Sequence, residues 1–487
     1  MDTHTIKVLE FLQFMEILLR YASTALGRHA ILKLVPYQEE WKIVRALKQT
    51  TEMCTLLSAQ VRIPLAGIDD LRILLKQVQS QNCTFTSEQF MVIRETLQGA
   101  SNLNLFLSQL GEDLYPQLVR LGNQIEFPDG LLEKLQLQFD EKGVLQDQAT
   151  PRLAELRKMI RELEAQIREK MEHLQYKYSR FLQGSGYTIR KDHFVLSVRQ
   201  ECRGQVRGLC LDQSNSGETL FIEPQEVILI ANKLEEVHKK ESDEIIKIYW
   251  ELTLEILVEE ERLTQLCRIL AVVDLTVSKA RISLDFQMSE PLLNAPYLHF
   301  REARHPLLIW EKSNRQFPMV FEPEKVVPID IHLGHNFDLL MITGPNTGGK
   351  TMGLKTVGLL VLMAHSGLHI PVKPGSTTPL FSQVYADIGD EQSISQSLST
   401  FSGHLKNITH ILREANENSL ILLDEVGAGT DPDEGACLST AILEQLLKKQ
   451  AKMIVTTHLS PLKNFAYQYP RTENGCVEFN PITLKPT

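Results

Sequence analysis

The chain has 487 residues, of which 43% are hydrophobic and 23% charged, a composition that excludes a disordered or fibrous protein and leaves room for about three domains. It contains no run of about 18 apolar residues and no signal-peptide pattern at its start, so we expect a cytoplasmic protein without a membrane partner. The net charge of −10 excludes a uniformly basic surface, and the seven cysteines, which form no C-x-x-C pair, argue against a disulfide framework or a structural zinc site.

Residues 1–150 are predicted to form an all-helical core. The stretch "TIKVLEFLQFMEILLRYASTALGRHAILKLVP" repeats its apolar residues at the helical period, with a break near Gly27 and a stop at Pro36. Short polar segments such as "NCTFTSEQ" and "EFPDG" separate further helices. This stretch carries no recognisable catalytic motif.

Residues 151–230 are predicted to form a coiled-coil arm that carries a small β clamp at about 186–224. A helix begins at Pro151 after a Thr150 cap, and its apolar residues recur at alternating steps of three and four, as in a coiled-coil seam roughly 50 Å long. These seam residues are Leu156, Ile160, Leu163, Ile167, Met171, Leu174, Tyr178 and Phe181. Alternating segments with Gly and Asn-Ser-Gly turns then predict strands. Residues 231–290 are predicted to return to the core as one long lever helix, antiparallel to the first.

Positive charge is concentrated around the predicted clamp. Residues 151–208 contain 13 Lys and Arg against 7 Asp and Glu, although the whole chain is acidic. Five basic residues lie in or beside the clamp strands: Arg190, Lys191, Arg199, Arg203 and Arg207. One hypothesis is that they contact a phosphate backbone, and the alternative is a solvated hairpin without a ligand.

Residues 291–487 are predicted to form a P-loop ATPase domain. Short apolar runs alternate there with helical segments, which indicates the α/β class. The motif G-x-x-x-x-G-K-[ST] follows the apolar run 339–342 and precedes a helix. Its residues are predicted to bind a nucleotide: Gly344, Pro345, Asn346, Thr347, Gly348, Gly349, Lys350 and Thr351. Glycines allow backbone N–H groups to face a phosphate, Lys350 supplies positive charge, and the Thr351 hydroxyl can bind Mg²⁺.

Two further motifs support the nucleotide site. In "LILLDE", Asp424 and Glu425 end an apolar strand 74 residues after Lys350. Asp424 is predicted to share Mg²⁺ binding with Thr351, and Glu425 is predicted to activate a water for attack on the γ-phosphate. His458 follows a third strand, "MIVTT", and is predicted to sense the γ-phosphate, although a histidine at a strand end is often only structural.

Several motifs together resemble the MutS family, in particular its second bacterial branch. These are "TGPNTGGKT", "DIGDEQSI", "LSTFSGHL", "LLDEVGAGTDPDEGA" and "TTHLSPLKNFA", and the early helical stretch is also similar to that branch. The resemblance implies a multidomain α plus α/β protein: a helical core, coiled-coil levers with a β clamp, and an ABC/MutS-type ATPase domain that uses ATP and Mg²⁺. It also implies a homodimer in which Ser399, Thr400 and Asp431 act on the partner's nucleotide.

The same resemblance implies ATP-dependent binding of branched or recombination-intermediate DNA and suppression of homologous recombination. An alternative within the branch is action on stalled or collided ribosomes, and a third is a nucleotide-switched scaffold with little turnover.

The sequence begins with the core, without the mismatch-recognition wedge of repair members. It stops before the dimerisation and Smr nuclease segments of the branch, so no nuclease activity and a weaker dimer are expected. A chromosome-organising ATPase of the ABC type is disfavoured, because its coil lies between the two nucleotide motifs, whereas here the predicted coil precedes both.

Overall fold

The computed structural model describes residues 2–190, 193–293, 295–313, 325–344, 349–389, 400–428, 430–480 and 485–486. The chain divides into two compact units. The large unit contains residues 1–69, 99–126 and 266–487, and the small unit contains residues 70–98 and 127–265. Each unit therefore combines stretches that are distant in sequence, because helices pack with partners far along the chain. The domain divisions at 150, 230 and 290 stay predictions from the sequence.

Helices make up most of the described secondary structure. They are α1 (Thr3–Val8), α2 (Phe11–Leu18), α3 (Ala25–Leu32), α4 (Glu40–Ser58), α5 (Leu71–Gln81), α6 (Ser87–Ser108), α7 (Pro116–Gly122), α8 (Leu131–Gln138), α9 (Pro151–Tyr178), α10 (Gln225–Val258), α11 (Glu260–Asp285), α12 (Pro306–Lys312), α13 (Lys350–His365), α14 (Thr400–Glu414), α15 (Pro432–Lys448), α16 (Ser460–Lys463) and α17 (Phe465–Gln468).

The strands of the described residues belong to four sheets. They are β1 (Leu182–Arg190), β2 (His193–Arg199), β3 (Gly208–Gln213), β4 (Thr219–Pro224), β5 (Leu298–Ala303), β6 (Ile329–Leu333), β7 (Leu339–Thr343), β8 (Gln383–Asp387), β9 (Ser419–Leu423), β10 (Lys452–Thr456), β11 (Thr472–Cys476), β12 (Phe479–Asn480) and β13 (Lys485–Pro486). The predicted combination of helices with an α/β parallel sheet is confirmed, since five strands pair in parallel in the order β11-β7-β10-β9-β8.

In the small unit, α9 and α10 pack together along a shared apolar core. Thr150 caps α9 by accepting a hydrogen bond from the Leu153 N–H, and Pro151 occupies the first helical position. Six of the predicted seam residues are buried in this core: Leu156, Ile160, Leu163, Ile167, Met171 and Leu174. The strands between the two helices form an antiparallel sheet in the order β1-β2-β4-β3.

Within residues 231–290, where the sequence predicts a long lever helix, the structure contains two successive helices. The structure ends α10 at Val258 and begins α11 at Glu260. At Glu259 the backbone turns to φ −90° and ψ 12°, and its N–H bonds to the Ile256 carbonyl in a tighter turn. No Gly or Pro marks this position, so propensity alone does not predict the break.

In the large unit, the N-terminal helices share one apolar core with the parallel sheet. α13 lies in this core, and a Cβ added to its Gly358 would come within 2.5 Å of Leu9 Cδ2 and 2.6 Å of Leu422 Cδ1. A larger residue at this position would make the Leu9 and Leu422 side chains shift, so glycine suits the close approach. Among the described residues, no helix combines the length and apolar character needed to cross a bilayer.

Candidate functional site

The connection from β7 to α13 holds the lysine of the predicted nucleotide motif. Gly344 and Gly349 take φ values of +129° and +82°, which favour glycine, and Gly349 precedes the first helical residue, Lys350. The Lys350 side chain is buried, and its Nζ donates a 2.5 Å hydrogen bond to the Gly344 carbonyl. A buried ammonium group at a helix N-terminus favours an anionic ligand. Residues 345–348, which are Pro345, Asn346, Thr347 and Gly348, lie outside the described residues.

Two hydroxyl groups hold the Asp424 carboxylate at the end of β9. The Thr351 Oγ1 donates to Asp424 Oδ2 at 2.7 Å, and the Thr456 Oγ1 donates to Oδ1. Thr456 ends β10, which pairs in parallel with β9. Hydroxyl and carboxylate oxygens are the ligands that Mg²⁺ prefers, so the donor set fits that ion. Sequence reasoning missed Thr456, although a polar residue that ends the apolar run "MIV" was a usable signal.

Glu425 adopts a left-handed backbone conformation directly after Asp424. Its φ is +48°, and its N–H donates a 2.9 Å hydrogen bond to Thr456 Oγ1. A non-glycine residue in this region costs about 1 kcal/mol or more, and such residues are concentrated at functional sites. The side chain is half-buried and lines a cavity of about 230 Å³ together with Thr351 and Asp424.

Asp387 and His404 line the same cavity; the motifs "DIGDEQSI" and "LSTFSGHL" contain them, but the sequence analysis named neither as a site residue. Asp387 ends β8, and its backbone carbonyl accepts a 2.9 Å hydrogen bond from the Asp424 N–H. Its buried carboxylate accepts a 2.7 Å hydrogen bond from His404 Nδ1, on α14. The usable signal was an acid at the end of an apolar strand, followed by a histidine in the next helix.

The other described residues predicted for the nucleotide site lie in three places: after β10, at the start of α15 and at the start of α14. His458 is exposed and lies two residues after β10. Asp431 caps α15 by accepting hydrogen bonds from the N–H groups of Asp433 and Glu434. Thr400 begins α14, but its side chain and the whole of Ser399 lie outside the described residues. Their predicted action on a partner's nucleotide stays a prediction.

The predicted basic clamp residues lie on the surface of the small unit where they are described. Arg190, Arg199, Arg203 and Arg207 are exposed, whereas Lys191 lies outside the described residues. The Arg190 guanidinium lies 4.5 Å from the centre of the Phe221 ring, a cation–π geometry. Arg190 therefore has a packing role in the sheet as well as a charge.

Comparison with known proteins adds two findings. The family described as MutS domain V matches residues 340–482. Over its whole length the chain is 40% identical to "Endonuclease MutS2" of Symbiobacterium thermophilum and 39% identical to the protein of that name from a Geobacillus species. The Clostridium botulinum protein of the same name is 38% identical. The chain spans about 60% of the length of these curated relatives.

Proposed function

Because the chain belongs to the MutS family and to its second bacterial branch, we propose that its large unit binds and hydrolyses ATP. The observation that carries this proposal is the junction of the two nucleotide motifs: Thr351 donates a hydrogen bond to Asp424 at 2.7 Å. Buried Lys350, the residue before Thr351, supports the same reading, because an anionic phosphate would offset the cost of keeping its charge away from water.

Each residue of the junction has a role in the proposed reaction. Lys350 attracts the β- and γ-phosphates, and Thr351 and Asp424 hold Mg²⁺ with oxygen ligands. The bound ion would neutralise charge on the phosphates. Glu425 orients and polarises the attacking water, and His458 contacts the γ-phosphate. Gly344, Gly348 and Gly349 would contribute backbone N–H groups toward the phosphates.

The proposal extends to a homodimer. Ser399, Thr400 and Asp431 would contact the nucleotide held by a second copy, so that ATP binding and dimer contact support each other. The cap that Asp431 provides to α15 is compatible with this role, since it fixes the loop that begins the helix.

We also propose that the small unit binds nucleic acid through its exposed arginines, and that ATP changes this affinity. Branched or recombination-intermediate DNA is the proposed ligand, and suppression of homologous recombination is the proposed outcome. The concentration of positive charge in residues 151–208 supports this assignment. The relatives named endonuclease are longer than this chain, and we propose no nuclease activity for it.

Phosphate release measured in steady state tests the ATPase. We expect Mg²⁺-dependent turnover in the parent protein and none in Lys350→Ala, which loses the phosphate-binding charge. Binding of a four-way DNA junction, with and without ATP, tests the second part, and ribosomes added as competitors identify the alternative ligand. Turnover that persists in Lys350→Ala would count against the assigned site, and nucleotide-independent DNA binding at every salt concentration would count against coupling.

A further inference from the structure

Thr456 ends the central strand of the parallel sheet. This strand, β10, lies between β7, which leads into the nucleotide motif, and β9, which ends directly before Asp424. Val455 pairs with Leu423 in the parallel register. The next residues of the two strands, Thr456 and Asp424, therefore lie side by side. The Thr456 side chain is fully buried, and a buried hydroxyl is expected to have hydrogen-bond partners within the protein.

The Thr456 hydroxyl joins the two acids of the nucleotide site. Its single proton is donated to Asp424 Oδ1, because an ionised carboxylate can only accept a hydrogen bond. Its oxygen accepts the N–H of Glu425 at 2.9 Å. The Thr456 carbonyl accepts the following N–H, that of Val426, at 3.2 Å. One residue of β10 therefore holds the three consecutive residues that follow β9.

These hydrogen bonds surround a strained position of the backbone. Glu425 has a φ of +48°, which is unfavourable for a residue other than glycine and persists where the surrounding structure fixes it. The N–H groups on both sides of the Glu425 Cα bond to Thr456, so Thr456 fixes the two peptide groups that flank this residue. The backbone makes these bonds, so they do not depend on what the Glu425 carboxylate contacts.

We propose that Thr456 is a positioning residue of the ATPase, whose hydroxyl orients the carboxylate of Asp424 and fixes the backbone that carries Glu425. This inference rests on the proposed ATP hydrolysis and deepens it, because one side chain links the metal-binding residue to the water-polarising residue. Thr456 acts through these two residues and not by contact with the nucleotide.

Two substitutions at Thr456 test this role. Thr456→Val keeps the shape of the side chain but leaves Asp424 Oδ1 without this donor and the Glu425 N–H without this acceptor. We expect its kcat to fall at least ~10-fold and its Mg²⁺ concentration for half-maximal turnover to rise at least ~3-fold. Thr456→Ser keeps the hydroxyl and should stay within ~3-fold of the parent in both quantities. Equal losses in the two variants, or parental values in Thr456→Val, would overturn the inference.

A binding measurement without turnover separates positioning from a loss of stability. Mg²⁺ should increase the affinity of the parent for a slowly hydrolysed fluorescent ATP analogue, and this increase should be at least ~3-fold smaller in Thr456→Val. Thr276→Val is the matched control, because Thr276 is also buried in the large unit and its hydroxyl bonds to the Val272 carbonyl within α11. The control should keep the parental Mg²⁺ effect. A Thr456→Val variant with lower thermal stability but the parental Mg²⁺ effect would refute the positioning role.

A double-mutant cycle at saturating Mg²⁺ tests the link to Glu425. If Thr456 affects kcat by fixing Glu425, adding Thr456→Val to Glu425→Gln should lower kcat by less than ~3-fold. The full loss seen in the single variant, repeated in the Glu425→Gln background, contradicts this link. Thr456→Ala removes the same hydroxyl from a smaller side chain and takes the place of Thr456→Val in each measurement if the valine variant does not fold.

The ATPase itself is controlled in the same experiments. If the parent hydrolyses ATP and Lys350→Ala does not, parental behaviour of Thr456→Val refutes this inference and leaves the proposed function standing. If the parent does not hydrolyse ATP, the proposed function fails, whereas the Mg²⁺ effect on nucleotide binding still tests whether Thr456 orients Asp424.

Discussion

The hydroxyl of Thr351 donates a 2.7 Å hydrogen bond to Oδ2 of Asp424, and this bond joins the first turn of α13 to the end of β9. The two residues are 73 positions apart in the chain. Thr456 donates to the other carboxylate oxygen, so both oxygens of Asp424 are oriented by threonine hydroxyls. Contacts within the protein therefore orient the side chains that would hold Mg²⁺.

Thr351→Val tests the metal-binding role of that hydroxyl. Valine has nearly the same shape as threonine but no oxygen, so we expect Mg²⁺-dependent ATP hydrolysis to fall by at least ~10-fold. Thr351→Ser is the matched control, since it keeps the hydroxyl and loses only a methyl group. A Mg²⁺ titration of phosphate release distinguishes the variants, and valine and serine variants with the same Mg²⁺ dependence would contradict the role.

Glu425→Gln tests the assignment of the residue that polarises the water. Glutamine keeps the size and the hydrogen-bonding shape but is a much weaker acceptor, so we expect kcat to fall ~10²-fold or more while ATP still binds. Filter binding of radiolabelled ATP should show nucleotide retained on the variant and not on Lys350→Ala. Hydrolysis at the parental rate in Glu425→Gln would remove Glu425 from the mechanism.

The sequence predicted the features that depend on neighbours along the chain. The Gly-rich loop identified the start of α13, and the spacing of apolar residues identified the buried face of α9, because both are local patterns. The ends of β9 and β10 also followed from short apolar runs bounded by polar residues. Asp424 and Glu425 were recognised for that reason.

The features that the sequence left unassigned depend on tertiary packing. The hydrogen bond between Asp387 and His404, and the one from Ala386 to Thr5, join residues whose proximity only the folded sheet creates. The break at Glu259 has no local marker, since the residues on either side favour helix. The grouping of residues 1–69 with the parallel sheet likewise follows from a shared core and not from any motif.

Removal of three exposed arginines of the clamp tests the nucleic-acid surface. Replacing Arg199, Arg203 and Arg207 with Ala should weaken junction binding at least ~10-fold and reduce the slope of log K against log salt by roughly 2–3. Arg190 is left in place because it packs on Phe221. A fluorescence-anisotropy titration at several salt concentrations measures both quantities.

The matched control for the arginine variant removes the same charge from exposed lysines of α10: Lys233, Lys239 and Lys247. Loss of these lysines should leave the salt dependence close to that of the parent. Equal weakening by the two triple variants would mean that net charge, and not the clamp surface, governs binding.

Lys279 makes the stability of the large unit depend on pH. The side chain is buried, its Nζ donates a 2.5 Å hydrogen bond to the Ser366 carbonyl, and burial lowers its pKa to about 7. In the unfolded chain a lysine has a pKa of about 10.4, so between pH ~7 and ~10 the unfolded state binds a proton that the folded state has released. This one group therefore makes the free energy of unfolding rise with pH, by up to about 1.4 kcal/mol per unit. Below pH ~7 both states are protonated and the group adds no further dependence.

Lys279→Met should remove this contribution. The variant avoids the burial of a charge, so we expect it to be more stable than the parent at pH 7, with the difference shrinking as the pH approaches ~10, where the parent lysine is neutral in the folded state. Chemical denaturation at pH 7 and pH 9.5 measures the change, and Lys33→Met, at an exposed position of the same unit, controls for the loss of one positive charge. Both proteins share every other titrating group, so the difference in slope isolates Lys279. If the unfolding free energy of Lys279→Met changed with pH in the same way as that of the parent, the prediction would be wrong. The Lys279 amine of the folded parent would then remain protonated across this range, held by its hydrogen bond to the Ser366 carbonyl despite its burial.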